Sequence, residues 1–230
     1  MLFFDPMYIV VSLPAIAVMF WAQSKVQSAY GKYSRVRNMR GIPGGQVAKY
    51  LLDAAGLYDV RIDSTPGHLS DHYDPRGKVL RLSPDVLNVP SVAAMGIVAH
   101  EVGHAIQDAK GYAPMKLRGA LVGPVGLGSS LGPILFILGL FMQSPNLVWL
   151  GVAMFSLAVL FSLVTLPVEF DASRRALAML SSTGLVSVTE MDGAKAVLTA
   201  AAWTYVAASL QAISSLLYYL FYALGMSRDE

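Results

Sequence analysis

His100, Glu101 and His104 form an HExxH pattern inside a run of apolar and small residues. On an α-helix, residues four positions apart lie one turn above each other, so both imidazoles can reach one metal ion from the same face. Neutral imidazole nitrogens are good ligands for Zn²⁺, and a neighbouring carboxylate can take a proton from a zinc-activated water. The spacing therefore predicts a metal-dependent peptidase with Glu101 as the general base.

The alternative is that these three residues lie on a surface helix, where their side chains cap the helix or form ion pairs. With four His and four Glu in the chain, an HExxH string arises by chance in about one such sequence in a thousand. Residues 92–99 are apolar or small, which predicts a buried helix, and buried polar groups need partners that offset their desolvation. We therefore favour the metal site.

The composition of the chain indicates a membrane protein. Of the 230 residues, 55% are hydrophobic and 14% are charged, and the mean hydropathy is +0.53, which is too apolar for an ordinary soluble domain. The absence of Cys excludes disulfides and thiolate zinc ligands. The net charge of +2 and the lack of a basic block argue against a nucleic-acid partner.

Four stretches are candidates for membrane spans. Residues 6–22 lack a preceding basic residue, which favours a retained transmembrane helix over a cleaved signal peptide. Residues 119–142, rich in Gly and Pro, predict one helix or a broken pair of segments, and residues 147–166 predict a plain span. Residues 196–225 predict a fourth span or a helix lying against the bundle or interface. The predicted fold class is a mainly α-helical integral membrane protein with three or four transmembrane helices.

The segment between the first two spans has the patterns of a small α+β domain. An amphipathic helix is predicted at 46–57, followed by two short strands at 59–63 and 78–83 around a loop. The Ser-Pro-Asp sequence at 83–85 predicts a short helical turn, and Ser91 is predicted to begin the helix that carries the metal site.

Basic residues predict the orientation of the chain. A dense cluster directly follows the first span and marks the cytoplasmic end, which places the N-terminus outside: Lys25, Lys32, Arg35, Arg37 and Arg40. In this layout, residues 24–118 and 169–195 share one side of the membrane and contain 16 of the 17 Lys and Arg. The catalytic segment is therefore predicted to be cytoplasmic.

A catalytic zinc site usually has a third protein ligand, and three downstream carboxylates are candidates. Asp108 lies on the HExxH helix itself, where a polar role at the helix end is favoured. Glu169 shares a helical face with three small residues, so that face can approach another helix closely: Ala172, Ser173 and Ala176. Asp171 instead shares its face with two arginines, where surface ion pairs are expected. Glu169 is the preferred ligand.

Several motifs resemble the YugP-type neutral zinc metallopeptidases, membrane proteins found mainly in bacteria. These motifs are KYSRV at 32–36, DHYDP at 71–75, VLRLS at 79–83, AHEVGHAIQ at 99–107, PVEFDASRRAL at 167–177 and AAAWTYVAASL at 200–210. More distantly, the chain is similar to HtpX-type and CAAX prenyl proteases, in which a Glu of a downstream helix completes the zinc site.

The resemblance implies a gluzincin-like α+β peptidase domain in a multi-pass protein of the bacterial cytoplasmic membrane. It implies one zinc ion held by His100, His104 and Glu169, with Glu101 as the base. The distant relatives place an Asp four residues after the ligand Glu, and this chain has Ser173 there. The group that orients an imidazole is therefore predicted to be Asp171 or a backbone carbonyl.

His72 lies in the predicted loop before the strand at 78–83, which we expect to be an edge strand along the cleft. Two roles remain open for His72: a catalytic or substrate contact, such as stabilising the oxyanion, or a structural role in the DHYDP turn. His68, beside Gly67, is expected to be solvated.

The expected organisation has five parts: span 1 at 1–23, the peptidase region at 24–118, spans 2 and 3 at 119–168, a cytoplasmic helix and linker at 169–195, and the C-terminal helix at 196–230. The predicted function is a membrane-embedded zinc metalloendopeptidase acting on membrane or membrane-proximal proteins. Alternatives are a non-catalytic membrane partner or regulator with a structural zinc site, or a hydrolase of another amide. Expected partners are a protein or peptide substrate, the lipid bilayer, and a membrane protein or a second copy of the chain.

Overall fold

The computed structural model describes residues 6–226 and is mostly helical. Its helices are α1 (Pro6–Tyr33), α2 (Gly44–Ala54), α3 (Pro84–Leu87), α4 (Val92–Ala109), α5 (Ala113–Phe141), α6 (Pro145–Ser182) and α7 (Val188–Met226). Its strands are β1 (Arg61–Ser64), β2 (His72–Asp74) and β3 (Val79–Leu82). The described chain divides into two compact units. The apolar unit comprises residues 6–22, 116–166 and 204–226, and the sheet unit comprises residues 23–115 and 167–203.

Within residues 6–226, four helices are long and apolar enough to cross a membrane: α1, α5, α6 and α7. Their presence agrees with the predicted membrane protein. Residues 119–141 lie within the single helix α5, so the predicted alternative of a broken pair is wrong, although Pro124 and Pro133 are inside it. Close packing of α5 on α6 uses small residues, as expected for helices in lipid: a Cβ on Gly151 would lie 2.5 Å from the backbone nitrogen of Phe136.

The sheet of the sheet unit has three strands in the order β1-β3-β2. Strand β1 is parallel to β3, and β2 is antiparallel to it, with Tyr73 opposite Leu80. Two predictions are corrected here. The loop between the two predicted strands contains a third strand, β2, and the strand expected at the edge is the central one. A residue just outside β2 helps to hold this strand in place. The Asp71 carboxylate, directly before the strand, accepts hydrogen bonds from the backbone N–H and hydroxyl of Ser83.

Helix α4 crosses the core of the sheet unit. Its N-cap is Ser91, the residue predicted to begin it, and the Ser91 hydroxyl oxygen accepts a hydrogen bond from the Ala94 N–H. Met95, Val98 and Val102 are fully buried in the cluster that also contains side chains of α2 and β3. The predicted burial of this helix is confirmed, and its polar residues are consequently desolvated.

A close contact between α4 and α6 brings the two halves of the candidate site together. A Cβ on Gly103 would lie only 2.6 Å from the carbonyl oxygen of Ala172, so the helices can approach this closely only with glycine at this position. Ala172 and Ala176 are fully buried. The prediction that the small-residue face of Glu169 packs against another helix is therefore confirmed. Helix α6 ends at Ser182 and helix α7 begins at Val188, so within the helix and linker predicted at 169–195 the linker is only residues 183–187.

Candidate metal centre

His100, His104 and Glu169 converge in the sheet unit. His100 Nε2 lies 3.2 Å and His104 Nε2 lies 3.5 Å from the same carboxylate oxygen, Oε2 of Glu169. The three potential ligand atoms all lie within 4.8 Å of one another. Both histidines come from one face of α4, and Glu169 comes from the adjoining face of α6.

The spacing of these atoms fits a zinc ion. Zinc bonds to His nitrogen and carboxylate oxygen are about 2.0–2.1 Å long, so neighbouring corners of a tetrahedral site are about 3.3–3.4 Å apart. The two nitrogen-to-oxygen distances, 3.2 and 3.5 Å, bracket this edge length. Two imidazoles and one carboxylate also leave a fourth position for substrate or water, as in catalytic rather than structural sites.

The imidazole of His104 is oriented by Gln107, one turn further along α4. His104 Nδ1 lies 3.0 Å from Oε1 of Gln107, while Nε2 of Gln107 donates to the Val168 carbonyl and to Asp171 Oδ2. Since those two partners are acceptors only, the amide orientation is settled, and the Gln107 oxygen accepts from His104 Nδ1–H. In the neutral imidazole, His104 Nε2 therefore faces the carboxylate with its lone pair.

The imidazole of His100 is oriented by Ser173. The Ser173 hydroxyl oxygen lies 3.1 Å from His100 Nδ1 and can accept the Nδ1 proton, which leaves Nε2 for a metal. The predicted partner, Asp171 or a backbone carbonyl, is thus wrong for both histidines, although Asp171 reaches His104 through Gln107. Two imidazole lone pairs directed at one carboxylate oxygen repel it unless a cation lies between them, which again fits zinc.

Glu101 lies beside the ligands on α4 and is buried. Its Oε2 accepts a hydrogen bond of 3.0 Å from the backbone N–H of Tyr73 on β2. Burial raises the pKa of Glu101 against the opposing effect of the two neighbouring imidazoles. A raised pKa makes this carboxylate a stronger proton acceptor, as a general base requires.

Glu169 has the opposite electrostatic balance. Burial disfavours its charged form. When a proton rather than a metal ion occupies the Nε2 atoms, hydrogen bonds with the imidazoles of His100 and His104 outweigh that cost and hold the pKa of Glu169 below its usual range. The surroundings thus shift the pKa values of these two neighbouring carboxylates in opposite directions. Such opposite shifts are typical of two groups that have different roles in one active site. Glu169 suits a ligand, and Glu101 suits a proton acceptor.

The other two carboxylate candidates lie outside the metal cluster. Asp108 accepts a 2.9 Å hydrogen bond from the Tyr73 hydroxyl. Asp171 pairs with Arg174 and Arg175 as predicted, but the expectation of surface pairs is wrong, because the Asp171 side chain is only 4% exposed. Its second oxygen is used to hold Gln107.

His72 and His68 lie outside the three-residue metal cluster. His72 is exposed at the start of β2, and its Nδ1 lies 2.8 Å from the Ser70 carbonyl oxygen. This contact leaves His72 Nε2 available, so both predicted roles stay open. The exposed His68 ring packs edge-on against Tyr30, with ring centroids 5.0 Å apart.

Three partners in the site were missed by sequence reasoning: Tyr73, Gln107 and Ser173. Two of them carried a usable signal. Gln107 is three residues after His104 and Ser173 is four residues after Glu169, so each shares a helical face with a ligand. The sequence carried no such signal for Tyr73, because its contact with Glu101 is made by a backbone atom and the two residues are 28 positions apart.

Removing either imidazole partner should weaken zinc binding without removing a ligand. For Gln107→Ala and Ser173→Ala we expect roughly 10–100-fold weaker zinc affinity, because an imidazole loses the group that fixes its ring and tautomer. Competition with a chromophoric chelator on detergent-purified protein measures this. Ser182→Ala is the control, since that hydroxyl donates to the Met179 carbonyl of its own helix. Wild-type affinity in both test variants would refute the assigned orientation of the imidazoles.

Comparisons with known proteins identify the family of the chain. A family model described as "Putative neutral zinc metallopeptidase" matches residues 8–224. The chain is 42% identical over 224 residues to "Putative membrane protease YugP" of Bacillus subtilis (strain 168), an alignment that covers 97% of this chain and 99% of that protein. No solved structure matches the chain. The HExxH helix and the downstream glutamate both fall within the matched region, and the chain belongs to the neutral zinc metallopeptidase family.

Proposed function

We propose that this protein is a zinc metalloendopeptidase of the cytoplasmic membrane that hydrolyses peptide bonds of membrane or membrane-proximal proteins. His100, His104 and Glu169 hold one Zn²⁺ in a gluzincin-like arrangement. The observation that carries the proposal is the convergence of the three ligand atoms within 4.8 Å, next to a buried carboxylate that is not one of them. A structural zinc site, as in the alternative of a non-catalytic regulator, would have no use for Glu101.

The chemistry follows from the position of Glu101. Zinc, when bound, supplies Lewis acidity that polarises the scissile carbonyl and increases the acidity of the attacking water. Glu101 accepts the proton of that water and passes it to the leaving amine. The hydrogen bond from Tyr73 N–H holds one Glu101 oxygen, and the other oxygen carries the proton.

Strand β2 is the proposed binding edge for the substrate main chain. Because Tyr73 N–H is directed to Glu101, it points away from β3. In an antiparallel strand the N–H and C=O of one residue point the same way, so the Tyr73 carbonyl also faces the open edge. An extended peptide can add to this edge. His72, on the same strand, is the candidate for a further substrate contact.

The proposal is tested with the full chain purified in detergent. Zinc content and cleavage of casein are measured for the wild type beside Glu101→Gln. Activity that is independent of Glu101, or a wild-type protein without zinc, would refute the proposed function.

The proposed orientation places the site on the cytoplasmic side and the N-terminus outside. If His100 and Glu169 bind one ion, an even number of crossings separates them, and α5 with the first part of α6 supplies two. In this Cys-free chain, Ser144→Cys should react with an impermeant thiol reagent on intact cells, while Ser70→Cys and Ser182→Cys should react only after permeabilisation. Labelling of Ser70→Cys in intact cells would reverse the orientation. Opposite accessibility of positions 70 and 182 would exclude the shared zinc site.

A further inference from the structure

Tyr73 is attached to helix α4 at two points. Its backbone N–H donates to Glu101 Oε2 at 3.0 Å, and its hydroxyl donates to Asp108 Oδ2 at 2.9 Å. Glu101 and Asp108 are seven residues apart, which is close to two helical turns or about 10.5 Å along the axis, so both face the same strand. One residue of β2 therefore spans two turns of the HExxH helix.

The side chain of Tyr73 is held along its whole length. The residue is 8% exposed and belongs to the core cluster of the sheet unit, where it neighbours Leu80 of β3. Burial and the adjacent Asp108 carboxylate raise the pKa of Tyr73, so its phenol stays protonated and remains the donor. A hydrogen bond to a charged acceptor is stronger than a neutral one. The buried ring thus links Asp108 rigidly to the Tyr73 backbone.

Glu101 depends on this attachment for its direction. A glutamate side chain has three rotatable bonds, and burial alone does not choose among its rotamers. The hydrogen bond from Tyr73 N–H fixes Oε2, and with it the direction of the second oxygen. A displacement of β2 along α4 would move the donor and change where the carboxylate points, and errors of about 1 Å in such groups cost up to about 100-fold in rate.

We propose that Asp108, acting through Tyr73, is a positioning residue for the general base Glu101. This inference rests on the proposed function and deepens it. It assigns a task to a carboxylate that lies outside the metal cluster, and it makes β2 part of the catalytic apparatus rather than only a binding edge. Loss of the phenol-to-carboxylate hydrogen bond lets β2 move relative to α4 while the zinc ligands stay in place.

The test compares Asp108→Ala and Tyr73→Phe, which break the contact, with Asp108→Asn, which keeps a carbonyl oxygen of the same size as acceptor. For the first two we expect kcat to fall by roughly 10–100-fold, with KM within about twofold of wild type and zinc content unchanged. Asp108→Asn should stay within about threefold of wild-type kcat, and the double variant Tyr73→Phe, Asp108→Ala should be no slower than either single variant, because all remove one interaction.

Controls and a readout besides activity separate this role from a general loss of stability. Tyr58→Phe alters an exposed residue of the sheet unit, and Asp53→Ala removes a partly exposed carboxylate that pairs with Lys49 on its own helix, so both should leave kcat unchanged. Amide hydrogen exchange of a peptide covering β2, measured on the full chain, should accelerate in Asp108→Ala and not in Asp108→Asn. Unchanged exchange in Asp108→Ala, or a lowered melting temperature with wild-type kcat, would overturn the proposal. Cleavage that persists in Glu101→Gln would instead overturn the proposed function, whatever the exchange shows.

Discussion

Glu101→Gln is expected to lower the rate of peptide cleavage by roughly 10²–10⁴-fold, the usual contribution of a general base, while zinc content stays at the wild-type level. The amide is nearly the same size as the carboxylate and keeps an oxygen that can accept the Tyr73 N–H, so the fold should not change. What is lost is the capacity to accept a proton from the attacking water. Casein cleavage and metal analysis on the same preparation measure the two effects.

A second substitution at this position sharpens the test. Glu101→Asp keeps the charge but shortens the side chain by one methylene, so it should retain more activity than Glu101→Gln and less than wild type. Removal of zinc by a chelator and its restoration controls for damage during purification. If Glu101→Gln matched the wild type, the general-base role would be lost. If it lost both zinc and activity, Glu101 would have to be a ligand, against its hydrogen bond to β2.

Much of the candidate metal site could be predicted from local patterns. The HExxH spacing placed two imidazoles on one helical face, and the small residues after Glu169 indicated a face that could meet another helix. Both inferences use the period of an α-helix, which acts within a few residues of sequence. The structure bears this out at Gly103, where α4 meets the backbone of Ala172.

The parts that could not be predicted depend on contacts distant in sequence. Strand β2 has three residues, His72 to Asp74, without a distinct alternating pattern, and a carboxylate from outside the strand holds it to Ser83. The burial of Asp171 was missed because its arginine neighbours suggested a solvated face. Its contact with Gln107 spans 64 positions, and no local periodicity reports such a pair.

Glu169→Ala is expected to remove zinc far more completely than Asp171→Ala. Glu169 offers one of three ligand atoms, and its oxygen lies 3.2 and 3.5 Å from the two imidazole nitrogens. Loss of a ligand should weaken binding well beyond the roughly 10–100-fold typical of an outer partner, whereas Asp171→Ala should cost about tenfold or less. Gln107 would still be held by the Val168 carbonyl at 2.8 Å in that variant. Zinc affinity is measured by chelator competition on both proteins.

The comparison also decides whether Glu169 or Asp171, both on α6, is the third zinc ligand. Asp171 is as buried as a ligand would be, but its oxygens are already used by Gln107 and by the two arginines at i+3 and i+4. Glu169→Gln provides the matched variant for Glu169, because it keeps the volume and loses the charge that a zinc site needs. The opposite result would be loss of zinc in Asp171→Ala while Glu169→Gln still binds zinc. In that case the contacts of Glu169 with His100 and His104 would be an ion pair, and the metal would lie elsewhere. Loss of zinc in Glu169→Gln and near wild-type loading in Asp171→Ala would assign the third ligand to Glu169, and α6 would then be the element that completes the site.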